Sequence, residues 1–167
     1  MNAPIGSEHA SDAHSDVAAP KHAGLRSLLR DHHLEIESAC LELMGAAFVD
    51  DPPTLTRRWS AFEHEVLDHM AAEEQLLIPS YQSVDPEQAQ ELRADHILLR
   101  DMLEHVALDV ELHAIRIERL KDLVAMLRAH AYREERTLYP WAQHHLPTVL
   151  RAQVLSRIVH PVRRRRA

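Results

Sequence analysis

His69-Met70-Ala71-Ala72-Glu73-Glu74-Gln75-Leu76-Leu77-Ile78-Pro79 returns, 61 residues on, as His130-Ala131-Tyr132-Arg133-Glu134-Glu135-Arg136-Thr137-Leu138-Tyr139-Pro140. The shared unit is H-x3-E-E-x2-L-x-P. Residues four apart on a helix lie one above the other, so each unit turns a nitrogen and an oxygen to one face. Upstream of each unit the apolar residues step by three and four: Trp59, Phe62, Val66, His69, Glu73, Leu76, and again Leu120, Leu123, Leu127, His130, Glu134, Thr137. That spacing marks a buried helical face. The polar pair therefore lies inside the apolar stripe.

The helices before these units match each other as well. One stripe reads Leu29, His33, Ile36, Cys40, Leu43, Ala47, and the other Leu92, His96, Leu99, Leu103, Val106, Val110. Both carry His in second place. His33 precedes His69 by 36 residues and His96 precedes His130 by 34, so the chain reads as two related helical hairpins. Breakers fall at Asp50-Asp51-Pro52-Pro53, Pro79, Asp85-Pro86, Pro140 and Pro147. They predict helices over 23–48, 54–78 and from 87, a turn near 108–114, a fourth helix to 139 and a short fifth over 148–159. Connections at 49–53 and 79–86 are short enough to make neighbours antiparallel. The expected fold is all-α, an up-down antiparallel four-helix bundle over 23–146. A flexible tail over 1–22 precedes it, and a short helix with a basic end at Arg163–Arg166 follows over 147–167.

The composition agrees. The 167 residues suit one domain, and aromatics at 4% with three glycines argue against a β-rich fold. The single cysteine, Cys40, excludes an internal disulfide and any cysteine-built metal cage. A net charge of −7 does not favour nucleic acid. No apolar run approaches the roughly 20 residues that span a bilayer, and no apolar signal core opens the chain. The expected location is the cytoplasm, with no membrane partner.

A lone histidine on an apolar face is usually a hydrogen-bonded core residue. Four at repeat-equivalent places, with two carboxylates, read differently, because a buried carboxylate is costly unless paired or bound to metal. Antiparallel helices would bring His33, His69, Glu73, His96, His130 and Glu134 together at the bundle centre, where helical bundles build metal sites. Carboxylate and imidazole donors without thiolate suit iron or manganese, with zinc able to substitute.

This ordered set, over about residues 23–145, resembles the hemerythrin-like family of HHE cation-binding domains. The resemblance implies an up-down four-helix bundle holding two non-haem iron ions, oxo-bridged when oxidised. It makes His33, His69, His96 and His130 terminal ligands, and Glu73 and Glu134 the bridging carboxylates. Two departures matter. Oxygen-carrying hemerythrins place a fifth histidine where this chain has Arg100, and they use HxxxxD on the last helix where this chain has His130-x3-Glu134. Fewer histidines leave more open positions on the metal, which argues against reversible oxygen carriage. The pattern is closer to bacterial members associated with oxygen or nitric oxide response, peroxide chemistry and iron handling.

Other residues have plainer readings. His32 competes with His33 but has a poor core stripe, which places it at the bundle surface. Glu37, one turn beyond His33, is a candidate additional ligand, a partner for Arg100 across the mouth of the site, or a surface carboxylate. Glu74 and Glu135 read as groups supporting the ligands. His64, His105, His113, His144, His145 and His160 are off the pattern. Tyr132 and Tyr139 could be redox-active phenols, with packing the simpler reading, and Cys40 is a small apolar filler. Two function classes remain: a protein that binds or senses oxygen, nitric oxide or peroxide, and a redox enzyme or iron-handling protein using the same centre.

Overall fold

A computed structural model describes residues 24–49 and 51–159. The expected tail over 1–22, His160 and the Arg163–Arg166 end lie outside the described residues. Every regular element among those described is helical: α1 Leu25–Val49, α2 Pro52–Leu76, α3 Ile78–Tyr81, α4 Pro86–Glu111, α5 Ile117–Arg136, α6 Leu138–His145, α7 Thr148–Val154 and a π-helical turn Leu155–Val159. No helix among them is long and apolar enough to cross a membrane.

Two of the Asp-Pro breakers act as starts. The Asp51 carboxylate accepts the Thr54 N–H at 3.3 Å and Asp85 that of Gln88 at 3.1 Å, each with proline at the next position. An N-cap acceptor followed by proline suits a helix start, where the first N–H groups have no internal partner.

Pro79 and Pro140 do not end helices where the breaker pattern placed the ends. α2 stops at Leu76 and α5 at Arg136, and the chain kinks at Leu77 (φ −105, ψ −57) and Thr137 (φ −121, ψ −71). It then restarts as α3 and α6, with each proline inside the first turn. A proline deeper in a continuous helix would clash with the carbonyl four residues back and forfeit a hydrogen bond. Kinking two or three residues earlier avoids both costs. The sequence expectation of four helices and a short fifth is therefore exceeded, because these kinks add α3 and α6. The turn after α4 lies at 112–116, a little later than expected, and is closed by His113 with φ 53.

The four long helices form a ring in which α1 packs on α2 and α5, and α4 on the same two. Their apolar residues divide into two clusters. One holds Ile36, Leu43, Phe62, Leu103 and Leu120, and the other Leu29, Leu77, Leu92, Leu138 and Tyr139. α1 and α4 run from the second cluster to the first, while α2 and α5 run from the first to the second, so the sense alternates along the chain. α6, α7 and the π turn pack against the bundle at the second cluster through Ala142, Val154 and Ile158.

A candidate metal centre between two apolar clusters

His33 lies between Leu29 and Ile36, His96 between Leu92 and Leu99, and the His-Glu pairs of α2 and α5 occupy the same level. All six proposed ligands are buried, with Glu73, His96 and Glu134 at 0% exposure. The structure brings them into two adjoining groups, His33, His69 and Glu134, and His96, His130, Glu73 and Glu134. Nε2 of His33 stands 3.2 Å from Nε2 of His69, and Nε2 of His96 stands 3.1 Å from Nε2 of His130. Two donors each about 2.1 Å from one ion at a right angle stand about 3 Å apart. Glu134 reaches both pairs, its Oε2 3.1 Å from His33 and its Oε1 3.1 Å from His130. Glu73 Oε2 lies 3.4 Å from His69 and 3.5 Å from His96.

The outer imidazole nitrogens set the direction of this arrangement. Glu135 lies 3.3 Å from His33 Nδ1, Glu74 2.9 Å from His96 Nδ1, and Asp95 3.3 Å from His130 Nδ1. A carboxylate at Nδ1 holds a proton there and leaves Nε2 as the nitrogen that faces inward. Arg100 grips Glu74 with two bonds of 2.8 Å, and Arg133 holds Asp95 at 3.0 Å. The fourth nitrogen, His69 Nδ1, is buried and receives no hydrogen bond.

Charges in this pocket oppose one another. Burial works against a charge on His33 and His130. Contacts with Glu134 and Glu135 nevertheless lift His33 to about 9, and the charge of Glu134 with the Asp95 hydrogen bond lifts His130 to about 10. Burial and the charge of His33 push His69 well below its usual value. Burial and the charge of Glu134 raise Glu73 to about 7. Burial would raise Glu134 too, but His130 holds it well below the ordinary carboxylate range. Glu73 Oε2 and Glu134 Oε1 are nonetheless buried without a hydrogen bond. Buried oxygens of this kind call for an explanation. A cation fits the donor set: four imidazole nitrogens and two carboxylates converge on one buried layer.

Tyr139 is part of this layer, not packing alone. Its fully buried hydroxyl donates to Glu73 Oε1 at 2.7 Å and lies 2.9 Å from His33 Nε2 and 3.2 Å from Glu134 Oε2. Burial, then the charges of Glu134 and Glu73, raise its pKa well above the ordinary phenol value. The position matches Ile78 in the first repeat, and that break in the pattern was the available signal. Tyr132 is exposed and bonded by Arg136.

Other expectations are corrected. His32 is buried at 4% exposure, not on the surface, with its ring edge-on to His69 at 5.0 Å. Glu37 does not join the cluster and does not pair with Arg100. It accepts from Arg128 Nε at 3.0 Å, on the rim of a cavity of about 210 Å³ that reaches His33, His69 and His130. Cys40 is fully buried, and burial, then Glu37, push its thiol up to about 12, as suits an inert filler. His64, His105, His113, His144 and His145 are exposed.

A family model described as the Hemerythrin HHE cation binding domain matches residues 24–142. No curated protein matches the chain at significance, and no solved structure does.

Proposed function

Because the chain belongs to the hemerythrin HHE cation-binding family, we propose that it holds two non-haem iron ions and uses them to bind or respond to oxygen, nitric oxide or peroxide. One observation carries this reading. The two Nε2 pairs, 3.2 and 3.1 Å apart, share Glu134 and sit beside buried carboxylate oxygens that accept no hydrogen bond. On this reading His33 and His69 hold one ion, His96 and His130 the other, and Glu134 and Glu73 lie between. Manganese or zinc would suit the same donors. The four long helices are then the up-down bundle of the family, lengthened by α3, α6 and α7.

Iron would supply a redox-active Lewis acid with positions open to a small ligand. The chain's own residues do the rest. The apolar cavity between α1 and α5 admits a small molecule and leads it to His33, His69 and His130. Glu135, Glu74 and Asp95 fix three imidazoles in place. Tyr139 keeps its proton at neutral pH, since its pKa is raised, and presents it at Oη beside Glu73. That buried proton donor favours, as a second reading, a redox enzyme that turns over peroxide or nitric oxide; iron storage or delivery is a third. A cytoplasmic location, without nucleic acid or membrane as partner, belongs to the same proposal.

The experiment is metal analysis of protein from iron-replete cells, followed by anaerobic reduction and exposure to each oxidant. Two irons per chain and reaction without a long-lived oxygen adduct are expected. Protein that neither contains iron nor takes it up on reconstitution defeats the proposal, and a stable, reversible oxygenated spectrum defeats the argument from Arg100. Sustained loss of peroxide or nitric oxide with repeated turnover selects the enzyme reading.

A further inference from the structure

Among the described residues, His32 is the one buried histidine outside the six-residue centre. Its Nδ1 is enclosed yet has no hydrogen-bond partner. It faces Glu65 Oε1 on α2 at 3.9 Å, while Glu35, nearly one turn further along α1, completes a group whose ligand atoms all lie within 4.8 Å of one another. A separation of 3.9 Å is too long for a hydrogen bond. It is within the roughly 3–4.2 Å that separates two donors bound to one ion at about 2.1 Å.

The repeat did not impose this group. The equivalent places in the second half hold Asp95, Leu98 and Met126, of which Asp95 serves His130 and the other two offer a cation no oxygen or nitrogen. The three residues also form a graded path. Glu35 is exposed, Glu65 half-buried and His32 buried, with its ring 5.0 Å from that of His69.

We propose that His32, Glu35 and Glu65 form a third divalent-cation site, which holds an ion on its way between solvent and the buried centre. One imidazole and two carboxylates suit ferrous, manganous or zinc ions. Three protein donors leave the remaining positions to water, so the ion exchanges readily. The site rests on its own geometry; its role in filling the centre rests on the di-metal reading above.

The test uses the full chain and a Glu35→Gln, Glu65→Gln double variant. Both side chains are at least partly exposed and glutamine keeps their size, so the fold is retained, as the far-ultraviolet spectrum will report. Equilibrium dialysis against zinc should give one ion fewer per chain in the variant, and the lost ion should be the weakest bound. Equal counts overturn the site. The number of ions left in the variant reports on the buried centre separately, so failure of the centre is distinguishable from failure of the outer site. Ferrous uptake by metal-free protein, followed by stopped-flow absorbance, should be slower in the variant but reach the same final content. Equal rates overturn the transit role.

Discussion

Replacing Tyr139 by Phe removes one oxygen from the centre and leaves the ring stacked on His33, where the centroids are 5.2 Å apart. The loss falls on Glu73. Its Oε2 already receives no hydrogen bond, and its Oε1 takes the Tyr139 hydroxyl at 2.7 Å. In metal-free protein the variant therefore buries a carboxyl with no donor at either oxygen. Stranding a buried polar group costs about 1–3 kcal/mol. For a chain of this size that lowers the melting temperature by about 2–12 °C, at about 2–4 °C per kcal/mol. The drop should be larger at pH 8 than at pH 5, because Glu73, raised to about 7, is protonated at the lower pH and has a proton of its own to donate. In iron-loaded protein the cation neutralises Glu73, and the loss should fall below about 1 kcal/mol. Circular dichroism melts of parent and variant, with and without iron, give the comparison. An unchanged melting temperature in metal-free protein, or an equal drop in both forms, would refute the assignment of the phenol as the donor that satisfies Glu73.

Asp95→Ala removes the carboxylate behind His130 and touches none of the groups around His69. Chelator competition should show one of two ions weakened about 10–100-fold, and equal weakening of both would contradict the division into two pairs. The pH dependence of metal-free protein has a definite sign. His33 and His130 carry folded values of about 9 and about 10 against 6.5 unfolded, so the folded chain binds extra protons above pH 6.5. Its stability should fall as pH rises from 6.5 through 10. Iron displaces those protons, so loading at pH 8 should acidify a weakly buffered solution; a dye that registers no proton release would count against metal at these imidazoles.

Periodicity carried the fold and the inward set because both depend on spacing alone. The stripes place His33, His69, Glu73, His96, His130 and Glu134 at one level, and burial on that level follows from the apolar residues above and below them. Helix ends were less legible. The breaker pattern makes stops of Pro79 and Pro140, whereas the backbone kinks earlier so that each falls in a first helical turn. The turn after α4 has no glycine. His113 adopts the left-handed conformation there, which costs a non-glycine residue roughly 1–2 kcal/mol. No local pattern announces a strained histidine. Asp95, His32 and Tyr139 escape the stripes because each acts across helices, through an angle of approach that residue spacing does not contain.

The departures from the repeat decide which side of the centre is open. At the α2–α4 seam Arg100 and Glu74 attract and lock together through two hydrogen bonds. The equivalent residues at the α1–α5 seam are Glu37 and Glu135, two acids that cannot pair. Glu135 turns to His33, and Glu37 turns to Arg128. The cavity lies between them, with Glu37, Arg128 and Glu135 among its lining. His33, His69 and His130 line it and His96 does not. The cavity therefore reaches both members of the His33–His69 pair but only His130 of the other, while Glu74 and Arg100 stand on the side of His96. One exchanged charge, Arg100 for its counterpart Glu37, thus leaves two repeat-related seams unlike, one closed by an ion pair and one lining a cavity.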